Sequence, residues 1–237
     1  MKQTEKNGLQ REPFGLTNNQ LKIIAMLAML TDHVGMILLP QVRVLRIIGR
    51  LAFPIFAFMI AEGCVYTRNR RNYVLKIGAL ALLCQIVYLI AEQSLYQCVL
   101  VTFTLSVLLI FSIDHFRRKR SVAAGLLMMA AACAVVFLTL ILPQLLNDTD
   151  YGVDYGIWGV LLPVAVYYIP GKWGRAMASA VLLSLIGLAT GGRQWYGLLA
   201  VPILLLYNGR RGKWKMKYLF YLFYPAHLGI LYLISML

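Results

Sequence analysis

Apolar residues fill most of the chain in runs that alternate with short basic segments. An α-helix needs about 20 apolar residues to cross the hydrocarbon core of a bilayer. We predict nine spans, with soft boundaries, at 20–39, 45–66, 74–92, 98–113, 122–142, 156–170, 175–190, 195–207 and 218–236. Four are short, and half-spans or helices shielded by neighbours also fit them: 98–113, 156–170, 175–190 and 195–207. The pattern predicts an all-α, polytopic membrane protein.

Composition supports this class and excludes two others. Of the 237 residues, 60% are hydrophobic, whereas soluble domains are about 45–50% apolar. Strand-like alternation over ~10-residue segments, which is typical of membrane barrels, is missing from the sequence. The net charge of +14 comes from basic residues dispersed among loops, not gathered in one stripe. Nucleic acid is therefore not an expected partner.

The loop charges predict the orientation. With a cytoplasmic N-terminus, 18 of the 23 Lys and Arg residues fall on the cytoplasmic side, as the positive-inside rule requires. The segment 143–155 then faces outward, with Asp148, Asp150 and Asp154 and no basic residue. No small-residue cleavage site follows the first apolar run, which predicts an uncleaved signal anchor. We expect a multi-pass protein of the cytoplasmic (inner) membrane.

The sequence predicts a simple domain organisation. Residues 1–18 are polar and predicted to be a cytoplasmic tail, and 19–237 are predicted to be one transmembrane domain, since no linker, low-complexity tract or repeat interrupts them. The four cysteines show no CxxC or Cys/His spacing. Neither a disulfide framework nor a metal site is expected.

Six ionisable residues lie inside the first two apolar runs. Lys22, Asp32 and His33 are in the first run; the second holds Arg46, Arg50 and Glu62. A charge near the bilayer centre costs ~2.5–3.5 kcal/mol on insertion scales, and such residues usually face a protein interior or a functional path. The sequence therefore predicts a polar site built inside the membrane.

Lys22 and His33 share one face of the first helix. They are eleven positions apart, which at 100° per residue is within about 20° of whole turns, and they are roughly 16 Å apart along the axis. Lys22 falls near the cytoplasmic end and His33 in the outer half. This arrangement suits a long anionic ligand that enters from the cytoplasm.

Two ion pairs follow from the antiparallel second span: Asp32 with Arg50, and Lys22 with Glu62. Intramembrane charges usually pair, so these contacts can simply hold helices together, and the pattern favours that role for Glu62 and Arg46. For His33, beside Asp32 and facing the same way as Lys22, it favours function. His227 falls near mid-membrane in the last span, where it either lines the same cavity or hydrogen-bonds a neighbouring helix.

Five segments together resemble one family. They occur in the order LKIIAMLAMLTDHVGM, RIIGRLAFPIFAFMIAEGCVYTRNR, DYGVDYGIWGVLLPVAVYY, LYNGRRG and FYLFYPAHLGILYLI. This order resembles the TraX family from about residue 17 to the C-terminus. The best-known member of that family acetylates the N-terminus of conjugative pilin. The family is similar to transmembrane acyltransferases, which pass acetyl groups from cytoplasmic acetyl-CoA to acceptors at the outer face.

The resemblance also implies site residues. In those enzymes a basic or polar residue, ten intervening residues and a catalytic histidine mark the first helix, a spacing that Lys22 and His33 match. The paired arginines of relatives resemble Arg46 and Arg50, although three residues separate this pair instead of two. We assign His33, Asp32 and Arg50 as candidate catalytic residues. The candidate donor-binding residues are Lys22, Arg46, Glu62 and His227.

The expected function is an acetyl-CoA-dependent acetyltransferase. His33 would be the base or acyl carrier, Arg50 an oxyanion donor, and Lys22 a contact for coenzyme A phosphates. The acceptor can be a secreted peptide or pilin amine, a glycan hydroxyl or a lipid-linked sugar. Two alternatives remain: a small secondary transporter with Asp32, His33 and Glu62 as a relay, and a non-enzymatic envelope or conjugation assembly factor.

Overall fold

The chain is helical throughout its described part. The computed structural model describes residues 14–91, 93–212 and 217–236, so most of the predicted N-terminal tail lies outside the described residues. Two isolated β-bridges, Leu16 with Tyr207 and Gln97 with Val153, occur there, but no strand does. The α-helices are α1 (Asn18–Ile37), α2 (Arg43–Gly49), α3 (Ala52–Tyr66), α4 (Arg70–Ala91), α5 (Val99–Lys119), α6 (Val122–Val136), α7 (Leu142–Leu145), α8 (Gly156–Tyr168), α9 (Lys172–Thr190), α10 (Ala200–Leu205) and α11 (Lys217–Ser235).

Long apolar helices make this a multi-pass membrane protein. Among the described residues, six segments are long and apolar enough to span a bilayer: Asn18–Ile37, Arg43–Tyr66, Arg70–Ile90, Val99–Lys119, Val122–Leu145 and Lys172–Thr190. Gly156–Tyr168 and Ala226–Ser235 are shorter apolar helices. The predicted all-α, polytopic class is confirmed. The count of nine spans and the cytoplasmic N-terminus stay predictions.

Two spans predicted to be short are full-length helices. The segment at 98–113 belongs to α5, which has 21 residues, and the segment at 175–190 belongs to α9, which has 19. Each helix continues into basic residues, Arg117–Lys119 in α5 and Lys172 in α9. α5 runs through Asp114 to Lys119, so a boundary drawn at the first charged residue comes too early.

The predicted second span is broken into two helices. α2 ends at Gly49, and α3 begins at Ala52. Pro54 explains the break, because proline has no N–H to give the carbonyl of Arg50 and its ring crowds that carbonyl. Pro54 therefore lies in the first turn of α3 and not at the middle of one continuous helix.

The chain forms two compact units, one made of Met1–Met59 with Ile169–Leu237, the other of Ile60–Tyr168. In the described part of the first unit, Leu21, Ala25, Ile55 and Leu183 are almost fully buried. The second unit is centred on α5, whose Leu105 and Leu109 pack with Val135, Val153 and Val160. The predicted single domain over 19–237 stays a prediction.

A short π-helical turn, Phe137–Ile141, joins α6 to α7 in the second unit. The Leu142 N–H donates to the Phe137 carbonyl instead of the Leu138 carbonyl, its ordinary α-helical partner. Pro143 has no N–H with which to serve Leu138 in the wider π pattern. The hydroxyl of Tyr151 donates to the Leu138 carbonyl instead, at 3.3 Å.

Candidate functional site

An ion cluster joins α1 to α2 in the first unit. The Asp32 carboxylate accepts from Nη1 of Arg46 at 2.7 Å and from Nη2 of Arg50 at 2.6 Å. Arg46 also donates to the Asp32 backbone carbonyl at 3.1 Å. All three side chains are mostly buried, with 11–18% of their surface exposed. The predicted Asp32–Arg50 contact is present, and Arg46 shares it, so the three residues carry a net positive charge.

Two glycines allow the helices to come this close. A Cβ at Gly35 of α1 would lie 2.7 Å from the Cβ of Leu45. A Cβ at Gly49 of α2 would overlap the Asp32 carboxylate. Small residues at helix contacts in membranes let backbones and polar side chains approach. The sequence RIIGR thus places its glycine against the carboxylate that its two arginines bind.

His33 contacts a second histidine instead of the neighbouring carboxylate. Nδ1 of His33 lies 2.9 Å from the Met29 carbonyl and 3.1 Å from Nε2 of His227. The two rings meet edge to face, with centroids 4.9 Å apart. Because Asp32 points to Arg46 and Arg50, it does not orient His33 as a hydrogen-bonded partner. His227, which the sequence left between two roles, belongs to this site.

The hydrogen-bond network assigns the ring protons. A carbonyl oxygen can only accept, so Nδ1 of His33 donates to Met29. Nδ1 of His227 likewise donates to the Phe223 carbonyl, at 2.7 Å. In the neutral rings Nε2 then carries the lone pair, so Nε2 of His227 accepts from the same Nδ1–H of His33. No described residue hydrogen-bonds Nε2 of His33, which is thus available to take a proton or an acyl group.

His227 is itself firmly held. Its side chain is buried, with 4% of the residue exposed. The Phe223 ring, one turn earlier in α11, stacks on it with centroids 4.9 Å apart and 10° between the ring planes. Stacking and the hydrogen bond to the Phe223 carbonyl both orient the imidazole. The lone pair on Nε2 is therefore directed by two contacts within α11.

Lys22 lies at the other end of α1, where a loop covers the start of the helix. Thr17 and Gln20 form a capping box, and the Asn18 and Asn19 amides donate to the carbonyls of Arg210 and Arg211 at 2.8 and 3.3 Å. These contacts bring Arg211 close enough to Lys22 for their charges to repel. The start of α1 is therefore a basic surface built by residues from both ends of the chain.

Arg175 is a buried cation, although the orientation prediction counts it among the basic residues of a cytoplasmic loop. It is 1% exposed, and its Nε donates to the Ile169 carbonyl at 3.3 Å. Its guanidinium lies 5.9 Å from the Phe58 ring centroid. A small cavity beside it is lined by Phe58, Lys172, Arg175, Ala176, Leu204 and Tyr207. In the sequence, this buried cation could have been suspected from the spacing of Lys172 and Arg175, which places both in the first turn of α9.

The second unit has a polar cluster of its own around Asp114. Its carboxylate accepts from Arg70 at 2.5 Å, from the Tyr167 hydroxyl at 2.7 Å and from the Tyr168 hydroxyl at 3.0 Å. Arg117 stacks over Tyr168 at 4.5 Å. This cluster was not predicted from the sequence, although an acid at the end of an apolar run indicates such a site. Glu62 is also buried in this unit, and its predicted pairing with Lys22 stays a prediction.

Comparison with known proteins gives the relationships of the chain. The probable fimbrial assembly protein FimC, serogroup H1, of Dichelobacter nodosus is 28% identical over 235 residues, which cover 90% of this chain and 93% of that protein. The protein named uncharacterized protein RP591 of Rickettsia prowazekii (strain Madrid E) is 50% identical over 44 residues, 18% of each chain. No solved structure matches. The family model described as TraX protein matches residues 17–235, nearly the whole chain, and the protein therefore belongs to the TraX family.

Proposed function

We propose that this TraX protein is an integral-membrane acetyltransferase of the cytoplasmic membrane, with its N-terminus in the cytoplasm. It passes the acetyl group of cytoplasmic acetyl-CoA to an acceptor at the outer face. Family membership and the multi-pass helical fold support the setting. The acetyl transfer itself rests on the chemistry of His33 and the ion cluster beside it.

The proposal rests mainly on which nitrogen of the His33 ring carries the proton. Its Nδ1–H is engaged by the Met29 carbonyl and by His227, which leaves the lone pair on Nε2. A lone pair on a fixed imidazole is what a general base needs to deprotonate an acceptor, and equally what a nucleophile needs to carry an acetyl group.

The ion cluster supplies positive charge next to this base in the sequence. Acyl transfer develops negative charge on the carbonyl oxygen, and preorganised cationic donors stabilise it. Arg46 and Arg50 share one carboxylate, so their cluster keeps a net positive charge. We assign Arg50 as the hydrogen-bond donor to the oxyanion. Asp32 holds the guanidiniums of Arg46 and Arg50 in place. We assign Arg46, which shares the Asp32 carboxylate, to donor binding.

The basic start of α1 suits the donor. Coenzyme A carries several phosphate charges, and cations at a fixed surface bind phosphate by charge-assisted hydrogen bonds. Lys22 lies on the same helix as His33, about 16 Å away along the axis, with Arg211 close by. The extended pantetheine arm of acetyl-CoA can bridge such a distance.

We propose a secreted peptide as the acceptor, most directly a pilin or fimbrial subunit. The Dichelobacter relative is named for fimbrial assembly, which supports an acceptor of that kind. The same name also supports a second candidate, a non-enzymatic assembly factor without acetyl transfer. The two candidates differ in one measurable respect, because only the enzyme consumes acetyl-CoA.

Membranes that contain the protein, incubated with acetyl-labelled acetyl-CoA, test the choice. We expect label to appear in a secreted peptide or glycan. In membranes with His33→Ala, labelling should fall at least about a hundredfold, within the 10²–10⁴ range for loss of a general base. Phe137→Ala, an exposed substitution in the second unit, is the matched control. Equal labelling with and without the protein would favour the assembly factor.

A further inference from the structure

We propose that His227 is the positioning residue for His33: its Nε2 lone pair accepts the His33 Nδ1–H and stabilises the positive charge that develops on the His33 ring during acetyl transfer. The proposal rests on the proposed function for its chemistry. Its structural part, the pairing of the two rings, stands independently of any activity.

Acetyl transfer places positive charge on the His33 ring. When Nε2 of His33 takes a proton or an acetyl group, the ring becomes positive while Nδ1 keeps its hydrogen. Hydrogen bonds to that N–H then strengthen, because charge-assisted hydrogen bonds are about twice as strong as neutral ones. The acceptors of this N–H are the Met29 carbonyl at 2.9 Å and Nε2 of His227 at 3.1 Å. Each therefore stabilises the charged ring more than the neutral one.

Among the described residues, no carboxylate accepts a hydrogen bond from the His33 Nδ1–H. Histidine bases are commonly oriented by an acid, and Asp32 is adjacent in sequence. Its carboxylate instead accepts from Arg46 and Arg50 at 2.7 and 2.6 Å. Among the described residues, the side chain that fills the orienting place is His227. A neutral imidazole there avoids placing a second carboxylate inside the membrane.

The imidazole of His227 is rigidly held. A positioning residue must itself be fixed, and His227 is held by the hydrogen bond to the Phe223 carbonyl at 2.7 Å and by stacking on the Phe223 ring. Its Nδ1 is already a donor, so its Nε2 is an acceptor and not a competing donor. Both histidines use the same local device, an Nδ1–H that donates to the carbonyl four residues earlier.

The test uses nitrogen NMR of the purified protein with labelled histidine. The chain has only three histidines, so single substitutions assign every signal. We expect His33 to show a protonated Nδ1 and an unprotonated Nε2, with the Nδ1 proton shifted downfield by its two acceptors. In His227→Phe, which keeps a ring but removes the acceptor, that proton should move upfield. In His227→Gln, whose side-chain oxygen can accept, it should return toward the wild-type position.

Kinetics provides the second readout. His227→Phe should lower kcat for acetyl transfer about ten- to hundredfold, in line with the loss of one hydrogen bond to a charged group. The KM for acetyl-CoA should change little, and His227→Gln should recover most of kcat. In a His33→Ala background, His227→Phe should have no further effect, because the residue acts through His33.

Three results would overturn the proposal. An unchanged His33 Nδ1 proton in His227→Phe would remove the pairing, even if acetyl transfer is confirmed. Additive rate losses in the double variant would make His227 a residue that touches the substrate directly. A higher KM for acetyl-CoA at unchanged kcat would make it a donor-binding residue. If the wild-type protein transfers no acetyl group, the NMR shift still decides whether the pairing exists.

Discussion

Gly49 of α2 lies directly against the Asp32 carboxylate of α1, so closely that a Cβ at position 49 would overlap it. The same carboxylate binds Arg46 and Arg50, one on each side of Gly49 in the sequence. The glycine therefore sets the distance between α1 and α2 at the point where the ion cluster forms. Gly49 leaves room for the Asp32 carboxylate, and a substitution at position 49 tests this role.

Gly49→Ala should destabilise the protein by about 1–3 kcal/mol, the usual cost of forcing extra atoms into a packed site. The added methyl group must push the Asp32 carboxylate away from Arg46 and Arg50. Thermal unfolding of the detergent-solubilised protein measures the effect. Gly229→Ala in α11 is the control, because an added Cβ there meets nothing within 4 Å. Equal melting temperatures for the two variants would show that the close approach carries no constraint.

Asp32→Ala should cost about 3–5 kcal/mol, because it leaves two mostly buried guanidiniums close together without the carboxylate between them. Arg50→Leu in the same chain should recover part of the loss by removing one of the two charges. The expected coupling between the two substitutions is about 0.5–3 kcal/mol. Arg43→Leu, on the same helix but exposed, should add its effect independently. Coupling as large for Arg43 as for Arg50 would argue against a local cluster.

Tyr151→Phe should destabilise the second unit by about 1 kcal/mol, since it removes a partly buried hydrogen bond and leaves its acceptor unsatisfied. The Tyr151 hydroxyl donates to the Leu138 carbonyl, which the π-helical turn and Pro143 deprive of backbone donors. Tyr196→Phe is the control, since Tyr196 is exposed and its hydroxyl has no hydrogen bond to a described residue. A loss no greater than that of the control would mean that another donor serves Leu138.

The loop at Asp150 should loosen in acid. Hydrogen bonds from the Ser94 hydroxyl and the Leu95 amide hold the pKa of this exposed carboxyl below its ordinary 3.8. A lowered folded-state pKa means that these bonds stabilise the loop above pH 3.8 and are lost as the pH falls through the folded value. A nitroxide label at position 147 should become more mobile in that window. Asp150→Asn should abolish the transition, whereas Asp148→Asn should keep it.

The proposed orientation predicts which loops an impermeant reagent reaches. Most basic residues fall on one side of the membrane if the N-terminus is cytoplasmic. In a cysteine-free background, a cysteine at Thr149 should react with an impermeant maleimide in intact cells. One at Ser121 should react only after the cells are permeabilised. The reverse pattern would invert the topology and place the donor site on the wrong face.

Local patterns in the sequence were sufficient for much of the site. The spacing of Lys22 and His33 depends only on helix geometry, and both residues are in α1. The Asp32–Arg50 contact was predictable because the two segments are consecutive and opposite charges inside a membrane seek each other. The all-α class followed from run lengths alone.

Contacts that depend on tertiary packing were not predictable in the same way. His33 and His227 are 194 residues apart, and no local pattern says which face of α11 meets α1. The separation of α2 from α3 depends on one proline, whose effect on a helix ranges from a mild bend to a full break. Asp32 adjoins His33 in sequence, but the two side chains point about 100° apart around the helix, so adjacency alone does not bring the carboxylate to the imidazole.

The composition of the first unit has a consequence for biosynthesis. This unit is discontinuous, formed by the first 59 residues and those from 169 onward, whereas the second is one continuous segment. α1 is synthesised before the second unit, yet its hydrogen-bonded partners at Arg210 and His227 are synthesised after that unit. The histidine pair therefore assembles only after the chain has been made through α11. A ribosome that stops within the second unit leaves an inserted protein in which His33 lacks its His227 partner.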